Sequence, residues 1–338
     1  MELYLDSANP AEISAGFKLG IFYGLTTTPT FLQRQGVADV DAWLLETAKQ
    51  VPVIQVEALG NSADEITAEA HRLLAMGLPR ETTVFKIPVS LHGVEACARL
   101  SKEGIMTNVH LIYTPQQAYM AMNSGATYVC PLVGRLQDQG TDALALVDSI
   151  VAFKERHGYA SKVMFSSVRH SEHVRNAMDL GVDAVTVPWS VVKQLPNNHL
   201  TSLGTAQFDE DHRRMTVRVA SVLRPTQAIV SPDTPLRDAL VAMTVSGLGA
   251  VVLAEQQKAV GLFTDGDLRR LLERSGGLDV NASLRSVHAL SVPHSISATA
   301  LLNEAYARFA ETKVDQLLVE DELGNALGLI DIQDLNGL

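Results

Sequence analysis

A single lysine interrupts an otherwise β-branched and aromatic run at residues 83–89. If this run is a strand whose Lys86 faces an enclosed interior, loss of hydration lowers the pKa of its ammonium group, and the neutral amine can attack a carbonyl to form a Schiff base. The alternative is a lysine whose ammonium reaches water at a strand end, which is the more frequent arrangement for such a run taken alone. Asp6 ends the first apolar run, where it would be either a proton-transfer partner of Lys86 or a loop cap.

Eight short apolar runs alternate with segments of helical period up to about residue 220, which is the pattern of successive βα units. The runs lie at residues 3–6, 24–28, 51–57, 83–89, 107–112, 127–133, 162–167 and 184–189, and the helical segments include residues 41–49, 62–76, 93–103, 115–124, 141–157 and 171–180. The pattern predicts an α/β fold with a closed (β/α)8 TIM barrel, for which this length is usual. A doubly wound open sheet is the main alternative, but no glycine-rich phosphate-binding motif follows any run.

Polar side chains interrupt these runs toward their carboxyl ends, which in a barrel meet at one mouth, where active sites lie. They are Asp6, Thr26, Thr27, Thr28, Gln55, Glu57, Lys86, Asn108, His110, Cys130, Ser166 and Ser167. Each alone would be ordinary at a strand end, but their recurrence at nearly every run predicts a shared site. The candidate substrate contacts among them are Thr27, Thr28, Asn108 and Cys130.

Several ordered motifs in this region resemble the transaldolase family, especially its short branch that includes fructose-6-phosphate aldolase. The motifs are Glu2-Leu3-Tyr4-Leu5-Asp6, Gly24-Leu25-Thr26-Thr27-Thr28-Pro29, Phe85-Lys86-Ile87-Pro88-Val89, Gly104-Ile105, Pro131-Leu132-Val133-Gly134-Arg135 and Ser166-Ser167-Val168-Arg169. The resemblance implies a (β/α)8 barrel in which Lys86 forms the Schiff base and Asp6 relays protons. It also implies that Arg135, Ser167 and Arg169 hold a substrate phosphate, and two guanidinium groups at a barrel mouth suit a phosphate dianion.

The sequence departs from the family at positions that bear on substrate recognition. Where the family has Thr-Thr-Asn-Pro, this chain has Thr26-Thr27-Thr28-Pro29, so a hydroxyl of shorter reach replaces an amide that both donates and accepts. Recognition of the ketose hydroxyls is therefore expected to differ. Asn108 resembles transaldolase proper, whereas Gln55 resembles the aldolase branch and Leu132 replaces the tyrosine of that branch.

A proton-transfer position is also altered. Transaldolases place a glutamate on strand three, which acts with a water and a threonine of strand five, and the matching positions here are Gln55 and His110. Glutamine does not titrate, whereas histidine exchanges a proton near neutral pH. His110 is therefore expected either to take over this role or to be a neutral histidine bonded inside the barrel. Glu57 shares the strand face of Gln55 and could supply a carboxylate, although its place nearer the strand exit favours a supporting role.

An internal repeat follows a change of character at Arg224-Pro225. The sequence Gly261-Leu262-Phe263-Thr264-Asp265-Gly266-Asp267-Leu268 recurs 67 residues later as Gly328-Leu329-Ile330-Asp331-Ile332-Gln333-Asp334-Leu335. Each copy follows an amphipathic helix and an apolar strand, and two such units are expected to pack on each other. The repeat resembles a CBS pair, in particular the pair attached to arabinose-5-phosphate isomerases of the Kdo pathway.

The resemblance to CBS pairs implies a cleft for a nucleotide or nucleotide sugar, in which a threonine and an aspartate hold the ribose. The matching residues are Thr264 and Asp267 in the first copy and Asp331 and Asp334 in the second. The alternative is that Thr264 or Asp265 only begins the next helix as its N-cap, and that the pair serves to dimerise the protein.

Composition argues against several classes of function. The net charge of −11 makes nucleic acid and anionic membrane poor partners, because affinity for phosphate backbones depends on accumulated lysine and arginine. Cys97 and Cys130 are far apart and lack companions at zinc spacing, so neither a disulfide framework nor a metal site is predicted. The sequence shows no basic and apolar leader and no run long enough to span a bilayer. A cytoplasmic protein is expected.

The leading interpretation is a Schiff-base transaldolase or aldolase that acts on a sugar phosphate without a metal or organic cofactor. It has a barrel over residues 1–222 and a CBS pair over residues 223–338, and it is expected to form a homo-oligomer. Catalysis is assigned to Lys86, Asp6, His110 and Gln55. Two alternatives stay open: a barrel that has lost catalysis and serves a nucleotide or nucleotide-sugar sensor, and another imine-forming enzyme that supplies a sugar phosphate for surface polysaccharide synthesis.

Overall fold

Eight parallel strands close into a barrel in the computed structural model, which describes residues 1–275 and 277–335. The strands pair in chain order, and β8 pairs with β1. They are β1 (Glu2–Asp6), β2 (Gly24–Thr26), β3 (Ile54–Glu57), β4 (Thr83–Pro88), β5 (Thr107–Ile112), β6 (Tyr128–Pro131), β7 (Lys162–Phe165) and β8 (Ala184–Pro188). Each predicted apolar run overlaps one strand, and the predicted TIM barrel is confirmed.

The helices of residues 1–197 surround the barrel or occupy its loops. They are α1 (Pro10–Phe17), α2 (Pro29–Arg34), α3 (Val40–Ala48), α4 (Ala63–Met76), α5 (Leu91–Lys102), α6 (Pro115–Asn123), α7 (Val133–Gln137), α8 (Ala143–His157), α9 (Ser171–Asp179) and α10 (Trp189–Val192). The sequence did not predict α1, α2, α7 and α10, because helices of eight residues or fewer carry too little periodic pattern. Since α7 begins at Val133, the sixth strand ends at Pro131, earlier than predicted.

Strand β4 shows how the barrel wall sorts its side chains. Phe85 and Ile87 pack in the core between strands and helices, whereas Val84 packs inside the barrel with Tyr128. Successive strand residues alternate between the two faces. Lys86 therefore shares the inner face with Val84.

A second compact unit begins at Asn198. It includes α11 (His199–Thr216), which precedes the boundary predicted at residues 222 and 223. The elements after α11 are β9 (Ile229–Val230), α12 (Leu236–Ser246), β10 (Ala250–Glu255), β11 (Lys258–Thr264), α13 (Asp265–Ser275), α14 (Leu284–Val287), β12 (Ser295–Ser297), α15 (Leu302–Thr312), β13 (Gln316–Glu320) and β14 (Ala326–Asp331). Their strands form two three-stranded sheets, in the orders β11-β10-β9 and β12-β13-β14.

The two sheets repeat one pattern. In each, a short strand and a helix precede an antiparallel strand pair, and the short strand joins that pair in parallel. Ala250 and Val252 of the first copy share a buried cluster with Leu318 and Leu329 of the second. The predicted repeat and the packing of its two copies are therefore confirmed.

Candidate active site

A cavity of about 760 Å³ opens at the carboxyl ends of the barrel strands. Its wall includes most of the barrel residues that the sequence assigned to a site, namely Asp6, Thr28, Lys86, Asn108, His110, Cys130, Arg135, Ser167 and Arg169. Thr27 and Gln55 are buried and do not line this cavity. The fold thus brings chemically competent side chains from many strands to the end of the barrel where such folds carry their active sites.

All lysines of the chain lie in the part that the structure describes. Lys86 is the only one that is buried, because every other lysine is at least partly exposed. Its Nζ donates a hydrogen bond of 2.8 Å to the carbonyl oxygen of Thr27 and lies 2.9 Å from Oε1 of Glu57. Strand pairing places Glu57 beside Lys86 on one side and Asn108 on the other. A substrate in the cavity therefore meets a lysine with a proton acceptor already in contact.

Glu57 has a more central place than the supporting role expected from its position at the strand exit. Its carboxylate is 8% exposed, and its second oxygen, Oε2, lies 3.0 Å from Nε2 of His110. Burial alone would raise the pKa of Glu57, but the charge of Lys86 and the hydrogen bond from His110 outweigh burial and lower that pKa to about 2. Glu57 is therefore an ionised link between two candidate catalytic residues.

His110 is a neutral histidine held by that carboxylate. Burial lowers the pKa of His110, and the attraction of Glu57 offsets this effect only in part. Because an ionised carboxylate only accepts hydrogen bonds, the neutral ring carries its proton on Nε2. The pairing of β5 with β6 shifts register just after His110, where Leu111 has a φ of 59°, and such a bulge redirects side chains at a barrel rim.

Asp6 ends β1 at the cavity wall. Its Oδ1 accepts a hydrogen bond of 2.8 Å from the Thr26 hydroxyl. Desolvation raises the pKa of Asp6, and the charge of Lys86 and the bond from Thr26 offset this only in part. A carboxylate with a raised pKa is a stronger base than an exposed aspartate, which suits a group that takes up and returns a proton.

Gln55 and Asn108 form a buried amide pair next to the cavity. The Nδ2 atom of Asn108 donates a hydrogen bond of 2.6 Å to Oε1 of Gln55. Asn108 lines the cavity, whereas Gln55 is fully buried behind it. Gln55 is thus placed to orient Asn108, and the catalytic role predicted for it stays a prediction. Cys130, whose pKa burial raises to about 11, contributes a neutral thiol to the wall.

The two threonines after β2 have different surroundings. Thr28 is the N-cap of α2, where its hydroxyl accepts a hydrogen bond of 3.3 Å from the Phe31 amide, and it also lines the cavity. Thr27 supplies its carbonyl oxygen to Lys86, while its own buried hydroxyl has no hydrogen-bond partner among the residues that the structure describes. Of the two predicted contacts, only Thr28 is therefore placed to touch a ligand in this cavity.

The candidate phosphate subsite lies beyond β6 and β7. A Cβ atom on Gly134 would come within 1.9 Å of the Ser167 carbonyl oxygen, so only glycine permits this approach. Ser167 has a φ of 60°, a left-handed conformation that is uncommon for serine. This tight packing brings Ser167 and Arg169 next to α7, which carries Arg135.

The two arginines are held by weak partners. Arg135 donates a hydrogen bond of 3.0 Å to the Tyr113 hydroxyl, and Arg169 lies 2.9 Å from a carboxylate oxygen of Asp138. The Arg169 and Asp138 side chains are both more than half exposed, and exposed ion pairs contribute little free energy. A phosphate dianion can therefore displace Asp138 at small cost.

His173 is a feature of this subsite that the sequence analysis missed. Its Nδ1 accepts a hydrogen bond of 3.2 Å from the Arg169 amide, and its Nε2 lies 2.5 Å from Oε1 of Gln137, the last residue of α7. Burial, together with the charges of His170 and Arg169, lowers the pKa of His173 to about 4. The neutral ring therefore joins the loop of Arg169 to the helix of Arg135.

Comparison with known proteins agrees with this geometry. Residues 3–228 match the family model described as "Transaldolase/Fructose-6-phosphate aldolase". The chain belongs to this family. Similar proteins include two named "Probable transaldolase", one from Prosthecochloris aestuarii (40% identical over 217 residues, covering 62% of this chain and 97% of that protein) and one from Syntrophobacter fumaroxidans (36% identical over 219 residues, covering 64% and 98%). The barrel is therefore that of a transaldolase-family enzyme.

Residues 219–274 match the CBS domain model, which is the first copy of the repeat. Among solved structures, a CBS domain protein from Pyrobaculum aerophilum in complex with AMP is 16% identical, covering 35% of this chain and 89% of that chain at a TM-score of 0.31. A CBS domain pair/ACT domain protein from Thermotoga maritima is also 16% identical, covering 36% and 93% at a TM-score of 0.30. The family model identifies the first copy as a CBS domain, and the second copy repeats its strand pairing. The particular likeness to isomerase-linked pairs stays a prediction.

In the first CBS copy, the predicted ligand residues bond to each other. The Oδ2 atom of Asp267 accepts hydrogen bonds from the amide and the hydroxyl of Thr264, at 3.0 and 2.7 Å, and Thr264 Oγ accepts one from the Asp267 amide at 3.2 Å. These bonds hold the first turn of α13, which is the N-cap arrangement weighed as the alternative. Asp267 also pairs with Arg270.

The second copy repeats the turn with a different partner. The Oδ2 atom of Asp334 accepts a hydrogen bond of 2.9 Å from the Asp331 amide, and its Oδ1 accepts two bonds from the Arg224 guanidinium, at 2.9 and 2.7 Å. Asp334 is therefore occupied by a cation from the start of the first copy. A ligand at this position would have to displace Arg224.

Within residues 1–275 and 277–335, no group of three or more histidine, cysteine, aspartate or glutamate side chains is arranged to hold a metal ion. No helix of the same ranges is long and apolar enough to cross a membrane.

Proposed function

We propose that the barrel is a Schiff-base transaldolase or aldolase that acts on a ketose phosphate. One observation carries this proposal: the Glu57 carboxylate lies 2.9 Å from the Lys86 nitrogen through one oxygen and 3.0 Å from the His110 ring through the other. Imine chemistry requires an amine with an acid and a base beside it, and these three residues supply all of them at the cavity wall.

Imine formation uses this group of residues. The Lys86 ammonium gives a proton to Glu57, and the free amine attacks the ketose carbonyl carbon. Two hydrogens leave the nitrogen in all, and both depart with the carbonyl oxygen as water, which leaves a protonated imine. Because the His110 ring donates a hydrogen bond from Nε2 to Glu57, the proton that Glu57 accepts from Lys86 returns to the departing oxygen from Glu57 itself, and His110 holds the carboxylate in position.

Cleavage of the carbon–carbon bond is assigned to Asp6. Its carboxylate accepts the proton of the hydroxyl two carbons from the imine carbon, the bond between the first and second of these carbons breaks, and its electron pair moves toward the imine nitrogen. An aldehyde leaves, and a three-carbon enamine stays on Lys86. The raised pKa of Asp6 favours this proton uptake and its retention until the next step.

The phosphate of the ketose is proposed to bind Arg135, Ser167 and Arg169. Two guanidinium groups and a hydroxyl line the same side of the cavity, and charge-assisted bonds to phosphate oxygens are stronger than neutral ones. The substrate would then extend from this edge across the cavity toward Lys86.

The fate of the enamine separates the two activities. In an aldolase it takes up a proton on carbon and is released by hydrolysis, whereas in a transaldolase it attacks an acceptor aldehyde. The sequence favours the aldolase through Gln55, which lies one hydrogen bond behind the cavity wall, on Asn108. The experiment is to incubate the protein with fructose 6-phosphate, with and without an added aldehyde, and to measure the free three-carbon ketone and the transfer product. If folded protein forms neither the free ketone nor the transfer product, the proposal is contradicted.

We propose that the CBS pair contributes no catalytic group and affects the enzyme by ligand binding or by dimerisation. Every group needed for the proposed steps comes from the barrel, so the pair is left with ligand binding, dimerisation or both. Thr264 and Asp267 are hydrogen-bonded to each other, and Asp334 is hydrogen-bonded to Arg224. A nucleotide at these residues would have to replace those hydrogen bonds.

A further inference from the structure

A second cavity, of about 360 Å³, adjoins the active site on the side of β2 and β3. We call it the side cavity. Four residues line both spaces, namely Thr28, Pro29, Glu57 and Leu59. The two cavities therefore share a wall at Glu57, the residue that contacts Lys86.

The other walls of the side cavity are mainly apolar. Leu32 of α2, Val40 and Leu44 of α3, and Val56 of β3 contribute to them. A dry, apolar cavity of about 150 Å³ is already large enough to bind benzene, so this space is large enough for an aliphatic or aromatic group. Its volume also falls within the range of ordinary ligand pockets.

The side cavity offers an anion no positive charge. Among the described residues its wall contains the carboxylates of Glu57 and Glu69, which pair with Lys86 and Arg72, and no lysine or arginine, in contrast to the phosphate subsite with its two arginines. Thr27, whose buried hydroxyl lacks a hydrogen-bond partner in the described part of the chain, also belongs to this wall. These features fit an uncharged, largely apolar group with at most one hydrogen-bonding atom.

We propose that the side cavity binds the apolar part of an aldehyde acceptor. Lys86 and Asp6 line the active-site cavity, so the carbonyl of the acceptor stands there, while its chain extends past the shared residues Glu57 and Leu59 into the side cavity. The enamine carbon forms a bond to that carbonyl carbon, the aldehyde oxygen takes up the proton held by Asp6, and water then hydrolyses the imine to free Lys86. This inference rests on the proposed function, because it requires an enamine on Lys86.

The proposal predicts that kcat/KM depends on the number of carbon atoms in the acceptor aldehyde. Each methylene group that enters an apolar site gains about fourfold in affinity or in kcat/KM, the fold-change that corresponds to its usual transfer free energy. Unbranched aldehydes from ethanal to heptanal should therefore rise in kcat/KM by about fourfold per carbon, until the cavity is filled. An open polar mouth would give no such series.

The experiment measures this series with fructose 6-phosphate as donor, in the wild-type protein and in Val40→Phe and Leu91→Phe. Val40 is 42% exposed at the rim of the side cavity, so phenylalanine there should narrow the space and flatten the series. Leu91 is 76% exposed at the start of α5 and lines neither cavity, so Leu91→Phe should keep the series. A flat series in the wild-type protein would overturn the proposal, whether or not the variants fold.

Two controls separate this inference from other outcomes. Borohydride trapping of the donor on Lys86, measured without an acceptor, tests the proposed function alone. Trapping with a flat aldehyde series would therefore refute only the side-cavity proposal. The unreactive 1-hexanol should compete with heptanal but not with ethanal. If 1-hexanol instead inhibits ethanal and heptanal equally, the cavity binds a separate effector, and the acceptor assignment is wrong.

Discussion

Glu57 and Lys86 are directly paired in register on neighbouring strands, and their side chains meet at 2.9 Å in the wall of the active-site cavity. The pairing explains how a lysine can be buried among barrel residues, because an ionised partner offsets part of the cost of removing its charge from water. The same contact provides the proton acceptor that imine formation needs. Glu57 therefore links the stability of the site to its chemistry.

Replacing Glu57 by glutamine tests this link. Glu57→Gln keeps the size of the side chain but removes the proton acceptor, and we expect kcat for the ketose phosphate to fall by about 100-fold or more, the usual contribution of a positioned acid or base. The matched control is Glu46→Gln, which alters an exposed pair with Lys49 on α3 and should leave kcat unchanged. Equal kcat in Glu57→Gln and the wild type would remove Glu57 from the mechanism.

The pH dependence of kcat/KM tests the role of His110. Because burial lowers the pKa of His110, its ring gains a proton only below its ordinary value of about 6.5. The neutral form is thus present above this pH, and an acid limb caused by His110 should lie below it. In His110→Thr this limb should disappear, whereas in His71→Thr, an exposed histidine bonded to Glu103, it should persist. An identical acid limb in His110→Thr would assign it to another group, such as Asp6.

Arg169→Ala tests phosphate recognition. A charge-assisted bond contributes about 1.5–3 kcal/mol, so we expect kcat/KM for a phosphorylated ketose to fall roughly 10- to 150-fold. The unphosphorylated analogue should be affected little. Arg175→Ala, which breaks an exposed pair with Glu172 on α9, serves as the control. A similar loss of kcat/KM for the phosphorylated and the unphosphorylated ketose would show that Arg169 does not bind the phosphate.

Calorimetric titration with adenine and cytidine nucleotides and nucleotide sugars tests the CBS pair. If Thr264 and Asp267 hold a ribose, Asp267→Ala should weaken binding about tenfold, because a charge-assisted bond is lost. The exposed Asp238→Ala on α12 should bind as the wild type does. Linkage also requires that the nucleotide and the substrate change each other's affinity by the same factor. Binding by Asp267→Ala that equals that of the wild type would place the ligand elsewhere than at Thr264 and Asp267, whereas failure of the whole panel to bind would leave dimerisation as the role of the pair.

The sequence predicted the barrel because its eight strands are apolar runs separated by segments of helical period. It also predicted the central residues Lys86 and Asp6, since a charged residue inside or at the end of an apolar run is easy to recognise in a sequence. The family resemblance added Arg135 and Arg169, which would otherwise read as surface residues.

The roles of other site residues were harder to predict, because they depend on contacts with residues that are distant in the sequence. Whether Glu57 contacts Lys86 follows from the register of β3 against β4, and whether Gln55 reaches the cavity depends on its depth along the strand. His173 was missed because its hydrogen bonds join a loop to a helix 36 residues away. Such contacts between strands and loops arise from barrel closure, which residue types and spacing alone do not specify.

The most direct measurement is borohydride reduction of the protein with fructose 6-phosphate, followed by mass mapping of its peptides. Hydride adds to the imine carbon and leaves a secondary amine on the lysine that formed the imine. We expect this modification on Lys86 alone, and none in a folded Lys86→Met variant, because methionine keeps an apolar stem but lacks the amine. Modification of another lysine in the wild type, or an equal yield in Lys86→Met, would contradict the assignment of Lys86 as the nucleophile.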